Sequence, residues 1–395
     1  MSLYLAWDLS QMQIVVFSLL FLLLLVELLY LYLIYNRVPS YARKVEMGGV
    51  DYASELPSVS IVVYAHAEEA DGVIQLLPRL LQQDYPTYEV IVVTDDVSDE
   101  VRNEVSMCEL ENKNVYQTHV PDTVYNVSRK KLGITLGIKA AKNDVILLTD
   151  AHCLPVSNRW IYAMARNFTP GIDVVLGYTR MVNIDGKHHA GYKVFERVTF
   201  ALRYMAYALM KRPYMGVSGN LAYRRDAFFS NKGFSATLQL HYGDDDLLVN
   251  EMARKDNTRV EVSADSVVES LHNDINDAWD EQRERYSFTS RYIHSSSKPL
   301  FRMEGLVHLL WAVTWVLTLL LSNGNILCCL LSLLMLLIYW LLTWYVYRRS
   351  QRVLGERCAV GWVPLYHLLR PFSALLQLVN GNKHNRRHFT WQYLR

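Results

Sequence analysis

Apolar residues follow two patterns along this chain, one suited to a membrane and one suited to a buried sheet. Residues 14–35 are almost entirely apolar and contain one charged residue, Glu27. As a helix this segment would be about 33 Å long, enough to cross a bilayer. Two further apolar runs, LVHLLWAVTWVLTLLL and ILCCLLSLLMLLIYWLLTWYVY, are separated only by SNGN. The pattern predicts three transmembrane helices, of which the last two form a hairpin.

Between the first and second apolar helices, Val- and Ile-rich runs alternate with helical patterns. SVSIVVYA, YEVIVVTDD and DVILLTD predict strands, and SRKKLGITLGIKAAK predicts a helix between the last two. Continuous β-branched runs flanked by helices are typical of a parallel sheet that is covered on both faces. This part of the chain is therefore predicted to have an α/β fold.

Basic residues predict how the chain is oriented in the membrane. Arg37, Arg43 and Lys44 follow the first apolar helix, and Arg348 and Arg349 follow the third, whereas the amino terminus and SNGN carry no Lys or Arg. Because basic residues favour the cytoplasmic side, we expect an integral protein of the inner or plasma membrane with its N-terminus outside. The predicted parts are an N-terminal transmembrane anchor at 1–37, a cytoplasmic α/β domain at 38–300, a transmembrane hairpin at 301–350 and a C-terminal tail at 351–395.

The tail and Glu27 each need an interpretation of their own. The tail is apolar but contains Pro364 and Pro371, and it ends in the basic NKHNRRHFTWQYLR. This favours amphipathic helices lying in the headgroup layer over a fourth span. Glu27 is either a group with a functional partner inside the membrane or a carboxylate that simply faces other helices.

Overall composition and the motifs present favour some classes of protein over others. The 40 basic and 39 acidic residues give a formal charge of +1, without the basic excess of a nucleic-acid-binding protein, so no nucleic acid partner is expected. The five cysteines show no CxxC pair. Neither GxGxxG nor GxxxxGK[ST] occurs, so a Rossmann dinucleotide site and a P-loop are both unsupported.

Polar residues follow three of the predicted strands where each strand ends. They occur in AHAE from Ala65, in TDD from Thr94 and in TDAH from Thr149. Ligands of parallel α/β sheets bind at the carboxyl ends of the strands, so these residues are candidates for one site. Asp150 and His152 could together bind Mn²⁺ or Mg²⁺; alternatively they are ordinary loop residues.

Two later motifs also have a structural and a functional interpretation. In GDDD, Asp244 is expected to cap a helix whose positive end favours Asp245 and Asp246, and a carboxylate held there could also act as a base. In QRERY, Gln282 and Arg285 share one helix face. That face is either an ordinary surface or a clamp for phosphate oxygens.

Taken in order, these stretches resemble the membrane-bound glycosyltransferases of family 2, which have the GT-A fold. The resemblance covers about residues 57–295 and rests on VSIVVYAHAEE, EVIVVTDDVSDE, SRKKLGITLGIKAAKNDVILLTDAHC, GVSGNLAYRRDAF, GDDDLLVN and QRERY. It implies a mixed, mostly parallel GT-A-type sheet with helices on both faces.

The resemblance also implies roles for individual residues. Asp245 would be the catalytic base with Asp244 beside it, and Asp150 and His152 would hold Mn²⁺ or Mg²⁺. The donor nucleotide and its diphosphate would be bound by Ala65, Glu68, Asp95, Lys131, Asp150, Gln282, Arg283 and Arg285. The sugar and acceptor pocket would include Gly219, Asn220 and Tyr286.

Three positions depart from the family pattern. His152 stands in place of the second carboxylate of the DxD metal motif, which leaves the choice of metal open, although a related transferase family uses DxH with manganese. Tyr286 replaces the tryptophan of QxxRW, and Ala67 stands where many members carry asparagine.

The resemblance implies an inverting membrane glycosyltransferase of polysaccharide biosynthesis. It would move a sugar from a UDP- or GDP-activated donor to a lipid-linked or polysaccharide (glycan) acceptor. Since a polymer channel needs more than three helices, polymer export would require an oligomer or an export partner. The alternative is a catalytically degenerate membrane sensor that binds nucleotide-sugar without turnover. A metal-dependent phosphohydrolase is less consistent, because the clustered ligands of a two-metal site are missing from the sequence.

Overall fold

A computed structural model describes residues 10–67, 71–121, 127–186, 191–294, 298–322, 325–357 and 359–370. The strands are β1 Val59–His66, β2 Tyr88–Asp95, β3 Val115–His119, β4 Val145–Asp150, β5 Cys153–Pro155, β6 Val174–Leu176, β7 Thr179–Asn183, β8 Leu221–Arg224, β9 Thr258–Val260 and β10 Val268–His272. The helices are α1 Gln11–Tyr30, α2 Arg37–Glu46, α3 Asp71–Leu81, α4 Asp99–Glu111, α5 Arg129–Ala140, α6 Trp160–Ala165, α7 Tyr192–Leu209, α8 Arg225–Ser230, α9 Asp246–Met252, α10 Ile275–Thr289, α11 Lys298–Leu321 and α12 Ile326–Leu354.

The larger sheet of the described chain has seven strands in the order β3-β2-β1-β4-β8-β6-β9. Strands β1 to β4 run parallel to one another, and β8 is antiparallel to both β4 and β6. A smaller sheet has the order β5-β10-β7. The mixed, mostly parallel α/β sheet expected from the sequence is therefore confirmed.

The strands of the larger sheet bury side chains on both faces, as their continuous apolar runs predict. In β1, Val62 belongs to one hydrophobic cluster and Ile61 to the other, on the opposite face. Helix α5 lies very close to the first of these faces at Gly137, where a Cβ would come within 2.6 Å of Cγ1 of Val62. Glycine at this position thus permits the close packing of helix on strand.

Three helices are long and apolar enough to cross a membrane, and they span Gln11–Tyr35, Met303–Leu321 and Ile326–Leu354. The first comprises α1 and a π-helical turn at Leu31–Tyr35. Leucines such as Leu22 and Leu341 are more than half exposed on this bundle, as expected for side chains that face lipid. Helices of the length and composition needed for the three predicted spans are thus present among the described residues, and the third ends at Leu354.

Helix α7 joins the α/β domain to the membrane helices. The hydroxyl of Thr199 lies 2.9 Å from that of Tyr347 in α12, and Arg203 pairs with Glu304 of α11 at 3.2 Å. The phenol of Tyr35 also donates a hydrogen bond to Glu304. One helix therefore packs against both parts of the molecule.

The segment that follows α12 returns to the α/β domain. Tyr178 donates a hydrogen bond of 2.6 Å to Glu356, and Arg197 lies 3.6 Å from the same carboxylate. Residues 363–370 then form a helical stretch whose His367 is buried. The basic tail from 371 onward lies outside the described residues, and its interfacial placement stays a prediction.

Candidate active site

A cavity of about 550 Å³ opens at the carboxyl ends of β1 and β4. Its walls come from both sheets, from α7 and α10, and from the residues preceding α9. Asp150, His152, Asp244 and Asp245 all line it. The strand-end motif and the triple aspartate, which are far apart along the chain, therefore face one cavity.

Asp150 is the last residue of β4, and the sheet holds it in a buried position. Its Oδ2 accepts a hydrogen bond of 2.6 Å from the hydroxyl of Ser218. Its Oδ1 lies 2.8 Å from Nζ of Lys130. Burial alone would raise the pKa of Asp150, but Lys130 and His152 beside it hold that pKa below its usual value. Asp150 is therefore anionic at neutral pH.

A divalent cation finds suitable donors next to Asp150. One ligand atom each of Asp150, His152 and Cys153 lie within 4.8 Å of one another. The ring of His272, at the end of β10, is 5.2 Å from that of His152 between centroids. Carboxylate and imidazole donors suit Mn²⁺, and carboxylate suits Mg²⁺, so these residues fit the cation that the sequence implies.

Asp245, and not Asp244 as expected, is the N-cap of α9. Its Oδ1 accepts a 2.7 Å hydrogen bond from the backbone N–H of Asp246. Gly243, just before the aspartates, has a φ of +100°, a conformation that side-chain-bearing residues rarely adopt. The turn at this glycine shifts the helix start one residue beyond the position that the sequence pattern suggested.

The second carboxylate oxygen of Asp245 is held by two groups of the cavity. The hydroxyl of Tyr286 donates to Oδ2 at 2.8 Å, and the backbone N–H of Ser218 donates to it at 3.2 Å. Burial, and next the nearby Asp244, raise the pKa of Asp245 to about 6. A carboxylate with that pKa can both accept and release a proton near neutral pH.

Ser218 connects the two carboxylates. Its hydroxyl donates to Asp150 while its backbone N–H donates to Asp245. It precedes Gly219, where a Cβ would come within 2.9 Å of Sγ of Cys153. The tight backbone at this point holds the end of β4 and the carboxylate of Asp245 at a fixed distance from each other.

Basic side chains face the same space from two helices. Nζ of Lys130 lies 3.0 Å from Asp244 as well as 2.8 Å from Asp150. Arg285 of α10 lines the cavity, pairs with Glu281, and has its guanidinium 4.9 Å from the ring of Tyr242. The cavity thus combines carboxylates with cationic groups of the kind that bind phosphate oxygens.

Comparison with known proteins agrees with this geometry. Residues 60–229, which include most of the larger sheet and the Asp150 motif, match the family model described as glycosyl transferase family 2. Over these residues the α/β domain is similar to a family 2 glycosyltransferase domain. No curated protein matches the sequence.

Solved structures extend the comparison to the fold. The chain is similar to a mannosyltransferase, PcManGT from Pyrobaculum calidifontis in complex with GDP-Man and Mn²⁺, with a TM-score of 0.52 and 15% identity over 91% of this chain and 98% of that one. Weaker similarity, at a TM-score of 0.43 and 15% identity, links 56% of this chain to 45% of GalNAc-T7 with UDP, GalNAc and Mn²⁺. The first similarity supports the GT-A fold of the glycosyltransferase domain.

Several predicted site residues line the cavity of the glycosyltransferase domain. They are Asp150, His152, Gly219, Asp244, Asp245, Gln282, Arg285 and Tyr286. Glu68 lies outside the described residues. The other five predicted residues are placed elsewhere, each for a physical reason.

Lys131 is fully buried and holds the segment between Thr237 and Tyr242, and it does not line the cavity. Its ammonium donates to the carbonyl oxygens of Thr237 and Tyr242, at 2.7 and 2.8 Å. Burial lowers the pKa of Lys131 to about 8. Its neighbour Lys130 is the lysine that lines the cavity.

Asp95 and Ala65 do not line the cavity, and both lie buried behind residues that do. The carboxylate of Asp95 is buried and accepts hydrogen bonds from Tyr64, at 2.5 Å, and from Arg129. Tyr64 and Arg129 are the residues that line the cavity. Ala65 is completely buried within the core, so its side chain is not a donor contact.

Asn220 and Arg283 have structural partners. The amide of Asn220 donates to the carbonyl oxygens of Tyr178 and Ser266, and its oxygen accepts from Trp160. Arg283 is paired with Glu196 at 3.1 Å and with Asp280 at 3.0 Å. These contacts direct both side chains away from the cavity.

Sequence reasoning missed Arg129, Lys130, Ser218 and His272, all of which line the cavity. The basic run SRKK was recognised, but which of its residues faces the cavity depends on how α5 is rotated against the sheet. His272 becomes a candidate only because β10 pairs antiparallel with β5, which brings the strand end beside His152. That pairing has no local signal.

Proposed function

We propose that the chain is a metal-dependent, inverting glycosyltransferase that moves a sugar from a UDP- or GDP-sugar to an acceptor at the membrane. The observation that carries the proposal is the pair of hydrogen bonds through which Ser218 links Asp150 and Asp245. They hold a candidate ligand for the donor's metal and a candidate base in one cavity. Both groups are needed for sugar transfer, and neither alone would indicate it.

In the proposed reaction, Asp245 removes the proton of an acceptor hydroxyl as its oxygen attacks the anomeric carbon. The new carbon–oxygen bond forms on the face opposite the bond to the diphosphate, which breaks, so the configuration at this carbon is inverted. The proton stays on Asp245, and the bonding electrons leave with the nucleoside diphosphate. The raised pKa of Asp245, about 6, suits a base that works near neutral pH.

The departing diphosphate carries negative charge, and cationic groups in the cavity would neutralise that charge. Asp150 and His152, with His272 beside them, would hold Mn²⁺ or Mg²⁺, which when bound would screen the charge of the diphosphate. Lys130 and Arg285 would contact the same oxygens directly. Lys130 then exchanges its two carboxylate partners for phosphate.

The acceptor is proposed to arrive from the membrane side. Helix α7 contributes Arg197, Phe200 and Tyr204 to the cavity while Thr199 and Arg203 of the same helix contact the membrane bundle. An acceptor carried on a lipid could therefore enter along this helix. Three spans do not form a polymer channel, which favours addition to a lipid-linked glycan in polysaccharide biosynthesis, with the domain on the cytoplasmic side.

The test uses the full-length protein in detergent with Mn²⁺ or Mg²⁺ and a panel of UDP- and GDP-sugars. GDP-mannose comes first, since PcManGT was solved with GDP-Man and Mn²⁺. We expect release of nucleoside diphosphate from one donor, and loss of that release in Asp245→Asn. Asp256→Asn is the matched control because Asp256 is an exposed aspartate paired with Lys211.

Two results would contradict the proposal. One is turnover by Asp245→Asn at the rate of the control. The other is tight donor binding without release of diphosphate from any donor in the panel, which would favour the nucleotide-sugar sensor.

A further inference from the structure

Three side chains of types that can bind metal ions meet inside the bundle of apolar helices, outside the lining of the cavity described above. Glu27 comes from α1, His308 from α11 and His367 from the stretch that follows α12. Each is at most 4% exposed. One ligand atom from each lies within 4.8 Å of the other two. None of the three lines the glycosyltransferase cavity.

The hydrogen bonds of His308 determine which of its nitrogens can bind a metal. Nε2 lies 2.6 Å from the backbone carbonyl oxygen of His367. Because a carbonyl only accepts, Nε2 must carry the hydrogen. In the neutral ring Nδ1 then has a free electron pair, and it lies 3.0 Å from Oε2 of Glu27. Two acceptors at that distance repel each other unless a cation or a proton lies between them.

Two further polar atoms of the cluster make no hydrogen bond within the described part of the chain. Among the described residues, Oε1 of Glu27 and Nε2 of His367 are buried and have no hydrogen-bond partner. The other ring nitrogen of His367, Nδ1, is bound to the hydroxyl of Tyr339. Leaving a carboxylate oxygen and a ring nitrogen unpaired in an apolar bundle is costly.

Both histidines also have the supporting contacts of metal ligands. In metal sites the ring nitrogen that does not bind the metal is usually held by a carbonyl, a carboxylate or another polar group, which fixes the orientation of the ring. Here a backbone carbonyl holds His308 and Tyr339 holds His367. The remaining nitrogen of each ring, Nδ1 of His308 and Nε2 of His367, is then available to bind a metal ion.

We propose that Glu27, His308 and His367 bind a transition-metal ion, most suitably Zn²⁺, in a structural site within the membrane bundle. Two imidazoles and one carboxylate are a common zinc donor set, and they leave one coordination position for a further ligand. The ion would satisfy the unpaired atoms together. It would also fasten the stretch containing His367 to the first and second membrane helices.

The test measures metal in the full-length protein, purified without chelator and without a polyhistidine tag. It is done in a His152→Ala background, so that the catalytic cation site does not contribute. We expect about one zinc ion per chain, lost in Glu27→Gln and in His308→Gln. His119→Gln, which alters an exposed histidine of β3, is the control and should keep its zinc.

Cobalt provides a readout that does not depend on the variants folding. Zinc-depleted protein in the His152→Ala background should take up Co²⁺ and show the visible absorption bands of a low-coordinate site with nitrogen ligands. Failure to bind zinc and cobalt in this background would overturn the proposal and leave a proton shared between Glu27 and His308. Zinc retained by both Glu27→Gln and His308→Gln would overturn it as well.

Discussion

At the scale of single residues, the ionisation of Asp245 controls the proposed chemistry. Its buried carboxylate faces Asp244, Asp246, Lys130 and Tyr286, and its pKa is raised to about 6. A base must be ionised to act, so we expect kcat/KM to fall as the pH drops through about 6 and to level off above it. The pH dependence of kcat/KM, which reports ionisation of the protein before substrates bind, measures this limb.

Tyr286→Phe is the matched variant for this prediction. The hydroxyl of Tyr286 donates to Asp245 and thereby lowers the pKa of that carboxyl. Its removal should therefore move the acid limb to higher pH, with a lower kcat/KM near pH 6. An acid limb in the same place in Tyr286→Phe and in the wild type would contradict the assignment of Asp245 as the base.

Lys130 is a second residue whose role can be separated from that of its neighbours. Replacing it by methionine removes a cation that we place on the donor diphosphate, so donor affinity should fall about tenfold or more. Donor binding is measured by calorimetry in the presence of Mn²⁺. Lys139→Met, an exposed lysine on the same helix, should bind donor normally, and equal affinities for the two variants would refute the contact.

Individual residues were the hardest part to predict from the sequence. The motif containing Arg129, Lys130 and Lys131 was recognised, but the three side chains point in different directions around α5, and only packing against β1 and β2 decides which is buried. Asp95 illustrates a related difficulty. A carboxylate at a strand end can touch a ligand or hold a residue that does, and residue type does not distinguish the two cases.

At the scale of elements, sequence pattern predicted much more. The apolar runs predicted β1, β2 and β4, and the rule that parallel strands present ligands at their carboxyl ends pointed to Asp150 and His152. Both residues line one cavity with the aspartates before α9, which only the family resemblance had grouped with them. The smaller sheet was not predicted, because β5, β7 and β10 are short and pair across long stretches of chain. Such pairings have no local pattern.

The turn after β1 offers a prediction at this scale. Ala67 has a φ of 36°, in the left-handed region that asparagine tolerates better than alanine. Ala67→Asn should raise the free energy of unfolding by about 1 kcal/mol, measured by denaturant titration in detergent. Ala236→Asn, at an exposed position without a positive φ, is the control and should give no increase.

At the scale of the whole molecule, the membrane helices and the glycosyltransferase domain form one packed structure. The carboxylate of Glu356, just past the last membrane helix, accepts from Tyr178 and lies 3.6 Å from Arg197. Both partners line the cavity. The positions of the spans were predictable from hydropathy, whereas this contact was not, since nothing in the sequence links residue 356 to residue 197.

Glu356→Ala tests how much that contact contributes. It would leave the buried guanidinium of Arg197 without its anionic partner, which typically destabilises a protein by about 3 kcal/mol. We expect a lower unfolding temperature together with weaker acceptor use, measured by thermal denaturation and by acceptor KM. Glu111→Ala, at an exposed residue, should change neither, and wild-type stability of Glu356→Ala would show that the contact is dispensable.

The position of Glu356 in the chain has a consequence for biosynthesis. The ribosome completes the α/β domain just before the hairpin, yet one contact that supports its cavity is made only after the third apolar helix. A nascent chain would therefore carry an incompletely supported cavity. If the proposed transfer takes place there, turnover would begin only once the last helix has folded against the domain.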